Sequence, residues 1–85
     1  AEPAPRFRMV CRTPLSKKPG RQEFQRGRIV TDTDGAMQVE SVGRQGSGML
    51  RSMSAANCFI VLPADQGDVE PGDWVSVEPF GRPIR

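Results

Sequence analysis

The sequence predicts an all-β fold, a small single-domain β-barrel of about five short strands. Three observations predict it. Polar and apolar residues alternate with a period of two in several short segments. Glycine and proline, at 9 and 8 of the 85 residues, punctuate those segments too closely for long helices. A chain this short has a thin core, and a closed barrel protects the strand edges such a chain would otherwise expose.

Taken in order, residues 1–5 (Ala1-Glu2-Pro3-Ala4-Pro5) read as a linker stub. They lack the basic and apolar regions of a signal peptide and an initiator Met, so the chain is expected to be cut from a longer protein. The barrel is expected over residues 6–80, with 81–85 as a tail. Arg6–Arg12 alternates as a first strand, with Phe7, Met9 and Cys11 on its inner face. Pro14 and Pro19 make Thr13–Gly20 a loop. Arg21–Val30 reads as the second strand. Phe24 and Ile29 fall on opposite parity there, and a β-bulge at Gly27 would bring both inward and re-aim Arg26. Asp32-Thr33-Asp34-Gly35 is a hairpin turn leading into Ala36–Val42, the third strand, with Met37 and Val39 facing in. Gly43–Gly48 is a glycine-spaced polar loop. Met49–Asn57 is expected to form a short helical turn capped by Ser52 or Ser54. Cys58–Leu62 is a buried strand ended by Pro63. Two turns follow, the second centred on Pro71-Gly72. Trp74–Phe80 is the fifth strand, with Val75 and Val77 inward and Trp74 as a barrel cover.

Composition narrows the function. No apolar run reaches the roughly 18 residues of a membrane span. Cys11 and Cys58 are far apart and the chain has no His, which disfavours zinc and every His-dependent nucleophile; two buried reduced thiols of a cytoplasmic protein are expected. The net charge of +2 is unevenly spread: residues 1–30 carry eight basic and two acidic residues, and the remainder four basic and eight acidic. The acids lie scattered in turns, which suits solvation better than acid–base chemistry. The strongest chemical constellation is Arg26 with Gln45-Gly46-Ser47-Gly48. A guanidinium offers a planar fork of donors, and glycine-rich backbone can turn successive N–H groups toward one anion. Lys17 and Lys18 are expected at the surface.

Four blocks stand in a distinctive order: Pro19-Gly20-Arg21-Gln22-Glu23-Phe24-Gln25-Arg26-Gly27, Gln45-Gly46-Ser47-Gly48-Met49-Leu50, Ser52–Pro63, and Pro71-Gly72-Asp73-Trp74-Val75 with Val77-Glu78-Pro79-Phe80. Together they make residues 7–80 resemble the C-terminal domain of the molybdopterin molybdenumtransferases, the MoeA and gephyrin E-domain family. The resemblance implies the β-barrel fourth domain of an elongated homodimer, whose active cleft lies between the third domain of one subunit and the fourth of the other. It implies insertion of molybdate into adenylylated molybdopterin, with release of AMP, and magnesium bound mainly outside this domain. It implies that Arg26 and Ser47 are the catalytic residues contributed here. Gln45, Gly46 and Gly48 would line the molybdate cradle, while Lys17, Lys18 and Arg21 would attract the substrate's phosphates. The chain departs from some relatives at Gly48-Met49, where they carry bulkier or different side chains. A partner-peptide module is the alternative, since gephyrin-like relatives hold a receptor segment with this region. A nucleic-acid surface is disfavoured, because Phe7 and Phe24 are expected to face inward rather than to interleave with the basic residues.

Overall fold

A computed structural model describes residues 5–42 and 56–80. Five strands, β1 (Phe7–Cys11), β2 (Glu23–Thr31), β3 (Met37–Ser41), β4 (Cys58–Leu62) and β5 (Trp74–Pro79), close into a barrel in the order β1-β3-β2-β4-β5. β1 and β3 pair in parallel; every other neighbouring pair is antiparallel. The core is built by alternation. Met9 and Cys11, Val39, Cys58 with Ile60 and Leu62, and Val75 with Val77 point inward from their strands, and Ile29 packs against them.

Two loop residues complete that core. Leu15 and Val69 exchange both backbone hydrogen bonds (3.0 and 2.9 Å), and both side chains are buried. The β1–β2 and β4–β5 loops are thereby sewn together across one end of the barrel. At the β2–β3 hairpin the Asp32 carboxylate accepts the N–H groups of Asp34 and Ala36 (2.9 and 3.0 Å), while Gly35 takes φ = +88°. The Asp-Gly pair thus acts as its chemistry predicts.

The structure corrects several expectations. β2 contains no bulge: Glu23–Gly27 pairs with Leu62–Cys58, and Gly27–Thr31 with Ser41–Met37, without a skipped residue. Gly27 serves close packing instead. A Cβ built there would lie 2.8 Å from two Ile60 side-chain carbons and 3.1 Å from the Glu40 carbonyl oxygen. With regular parity, Phe24 faces outward and is 46% exposed. Phe7 and Met37 have inward parity but sit at strand ends, where the barrel wall stops, and both are exposed. Trp74 is exposed as well and covers no core. Both cysteines are free and fully buried, and burial alone pushes the Cys58 thiol up to about 11. The expected helical turn over 49–57, with its Ser52 or Ser54 cap, lies mainly outside the described residues; Ala56 and Asn57 carry no regular structure.

Candidate functional site

Strand order explains why a long polar loop exists. β2 lies between β3 and β4 and is antiparallel to both, so β3 and β4 run in the same direction. Such strands cannot be joined by a tight hairpin and need a crossover of about a dozen or more residues. Residues 42–57 provide it. Its two ends are held by adjacent carbonyls of β2: the Val42 N–H donates to Arg26 O (3.5 Å), and the Asn57 N–H donates to Gly27 O (2.9 Å). The crossover that carries Gln45, Gly46, Ser47 and Gly48 therefore starts and finishes at the adjacent Arg26 and Gly27 carbonyls, on opposite edges of β2. Those four residues themselves lie outside the described residues.

Asn57 reinforces the anchor. Its Oδ1 accepts the Ile29 N–H at 2.8 Å, its Nδ2 donates to Ile29 O at 3.5 Å, and its backbone carbonyl accepts the Phe80 N–H at 3.0 Å. One residue thus ties β2, the start of β4 and the end of β5. Sequence reasoning assigned Asn57 no role. The only signal was a polar amide directly before the Cys58–Leu62 run, where an Asx side chain often substitutes for a backbone partner.

Arg26 is exposed on the outer face of β2, opposite Phe59 in the β2–β4 register. The ion pairs among the described residues are Arg6–Glu78 (3.1 Å) and Arg12–Glu40 (3.7 Å), and neither uses Arg26. Beside it runs an aromatic cluster that the inward placement of Phe24 concealed. Phe24 meets Phe59 edge to face at 5.8 Å between centroids, and Phe59 meets Phe80 at 4.8 Å. The Arg6 guanidinium carbon stands 5.9 Å from the centre of the Phe24 ring while Arg6 Nε bonds Glu78. With Phe24 outside, aromatic and basic residues do share one face, so the sequence-based case against nucleic acid loses this support.

The basic loop is placed differently from expectation. Lys18 and Arg21 are exposed, but Lys17 is only 5% exposed. Its ammonium donates to the carbonyls of Lys18 (2.8 Å) and Gln66 (3.2 Å), and its backbone N–H donates to Asp68 Oδ1 (2.8 Å). Desolvation of an ammonium is costly, and these acceptors offset it. The Gln25 amide links the same loop to β2 by donating to Ser16 O and Glu23 Oε2, both at 3.2 Å.

Magnesium prefers several oxygen ligands, carboxylates first. Among the described residues no three acidic, His or Cys side chains gather into such a set, so these residues do not fit a magnesium site. Nor is any helix among them long and apolar enough to cross a membrane.

Comparison with known proteins gives these features a setting. Over 76 residues the chain is 41% identical to the molybdopterin molybdenumtransferase of Haemophilus influenzae, covering 89% of this chain and 19% of that protein. Its fold matches the molybdopterin biosynthesis MoeA protein of Pyrococcus horikoshii with a TM-score of 0.65 at 22% identity, over 91% of this chain and 19% of that one. It also matches a molybdenum cofactor biosynthesis protein of Pyrococcus furiosus with a TM-score of 0.58 at 28% identity, over 88% and 26% of the respective chains. The chain spans only a small part of each relative. Residues 8–80 match the family described as the MoeA C-terminal region (domain IV), and on that match, the sequence identity and the shared barrel, this chain belongs to that family.

Proposed function

We propose that this barrel is the C-terminal domain of an enzyme that inserts molybdate into adenylylated molybdopterin, and that it contributes the oxyanion side of the active site across a dimer. The observation that carries this reading is the anchoring of the 42–57 crossover on the adjacent Arg26 and Gly27 carbonyls, at opposite edges of β2. Molybdate is a tetrahedral dianion. Arg26, without a carboxylate partner among the described residues, holds it by charge-assisted hydrogen bonds. The Ser47 hydroxyl and the N–H groups of Gln45, Gly46 and Gly48 complete the cradle. The contribution is positioning and electrostatic stabilisation, and it requires no covalent intermediate on this chain. Magnesium, expected to be bound mainly outside this domain, would neutralise charge on the substrate's phosphates. Exposed Lys18 and Arg21 attract those phosphates from solution, while buried Lys17, expected to join them, spends its ammonium largely on the Lys18 and Gln66 carbonyls. The whole enzyme acts in the cytoplasm as a homodimer, with molybdate and molybdopterin adenylate as its substrates. The barrel has no activity by itself.

The test uses the full-length parent in cells unable to insert molybdenum, with the activity of a molybdoenzyme as the readout. Arg26→Ala and Ser47→Ala, singly and together, abolish rescue while the protein still accumulates. Rescue at the wild-type level by the double variant removes the cradle from the mechanism.

One observation favours a second reading. Phe24, Phe59 and Phe80 form a partly exposed aromatic strip of the kind that a partner peptide covers. Under this reading Phe24→Ala abolishes peptide binding and leaves molybdenum insertion intact.

A further inference from the structure

Residues 16–23 line a shallow, wide-mouthed depression of about 500 Å³, formed by Ser16, Lys17, Lys18, Gly20, Arg21 and Glu23 among others. Three cations and one carboxylate therefore share one wall. The carboxylate is partly engaged, since Glu23 Oε2 accepts the Gln25 amide at 3.2 Å. Neither ion pair among the described residues involves Lys17, Lys18 or Arg21. The wall is also held in shape. Leu15 is paired with Val69, the Lys17 N–H is bound by Asp68, and the Gly20 N–H donates to Ala64 O at 2.7 Å with Gly20 at φ = +135°. Lys17 is the anomalous member. It is 5% exposed, lines the cavity, and directs two of an ammonium's three N–H donors at carbonyls, which leaves one.

We propose that this cavity is a preformed pocket for a terminal phosphate, in which exposed Lys18 and Arg21 grip the phosphate oxygens and the fixed Lys17 ammonium supplies the remaining donor at the wall. A tetrahedral dianion matches the surplus positive charge, and the guanidinium fork matches two of its oxygens. This goes beyond the attraction proposed above for the basic loop: adenylylated molybdopterin carries its two phosphates in an internal pyrophosphate, so the terminal phosphate this pocket takes is that of a product, AMP or the released cofactor. It rests on that reading only for the identity of the natural ligand.

The experiment titrates the chain with inorganic phosphate at constant ionic strength and follows backbone amide shifts by NMR. Saturable shifts confined to residues 16–23, with a dissociation constant on the order of 1 mM, are expected. Lys18→Ala with Arg21→Ala weakens that binding by ~10-fold or more, while Arg12→Ala, a basic control outside the cavity, leaves it unchanged. AMP shifting the same residues as tightly as phosphate, with a phosphodiester failing to do so, identifies a phosphomonoester as the ligand class. Shifts spread over all basic residues, or lost once ionic strength is held constant, overturn the pocket and leave only general attraction. Arg26→Ala separates the two readings. If phosphate binding survives that substitution while molybdenum insertion fails, both stand; if phosphate produces no local shift and Arg26 still proves essential, only the pocket falls.

Discussion

Asn57 pairs with Ile29 through its side chain as a strand would through its backbone: Oδ1 accepts the Ile29 N–H at 2.8 Å and Nδ2 reaches Ile29 O at 3.5 Å. The β2–β4 ladder ends at Gly27–Cys58, so the Asn57 amide continues it past the last rung. Asn57→Ala removes both bonds. Since the site is solvent-exposed, the loss in stability is about 1 kcal/mol. Asn57→Asp retains the shorter bond and loses less. Urea denaturation midpoints of the three proteins check the order.

Gly27 has no room for a side chain. Gly27→Ala drives a methyl group into Ile60 and costs about 1–3 kcal/mol by overpacking. Ile60→Ala removes both side-chain carbons that lie 2.8 Å from the added Cβ, so the double variant is more stable than the sum of the single effects requires. A double-mutant cycle with no coupling between the two sites contradicts this packing.

Cys58 links stability to alkaline pH. Its folded thiol is raised from 9.0 to about 11 by burial, so the folded state resists thiolate formation more than the unfolded state does. The contribution is fully present below about pH 9 and is lost as pH rises to about 11. Thermal melts across this range fall more steeply for the wild type than for Cys58→Ala, after each is referenced to its own value at pH 7. Native Cys58 also resists alkylation at pH 8 and reacts once the chain is unfolded.

Arg26 separates function from stability. It is exposed and joins neither ion pair among the described residues, so Arg26→Ala and Arg26→Lys shift the melting free energy by no more than about 0.5 kcal/mol. Both lower activity of the full-length enzyme, Lys included, because an ammonium lacks the planar fork. A large stability loss in either variant reassigns Arg26 to the framework.

Two strands were legible because burial on a sheet has a period of two, which Met9-Cys11 and Val75-Val77 carry, and a third because Cys58–Leu62 is a continuous apolar run bounded by Pro63. The hairpin at Asp32–Gly35 was legible because its chemistry is local. Gly27 was misread for a physical reason. Parity says only that Phe24 and Ile29 face opposite sides, and a bulge or an outward phenylalanine satisfies that equally. Lys17 was misread because its burial depends on the carbonyl of Gln66, far away in the chain. At the site, Arg26 was legible as a guanidinium suited to an anion, whereas Ser47 and its glycines lie outside the described residues and rest on the resemblance and on the crossover's two anchors.

By itself the sequence determined the all-β class, the five strands, the inward valines and the family, because these depend on local alternation, turn residues and residue identity. Only the tertiary structure decided the order β1-β3-β2-β4-β5, the outward aromatic strip, the Asn57 anchor and the buried Lys17. Each of these arises from partners distant in sequence, and which distant strands meet is set by closure of the barrel around one shared core.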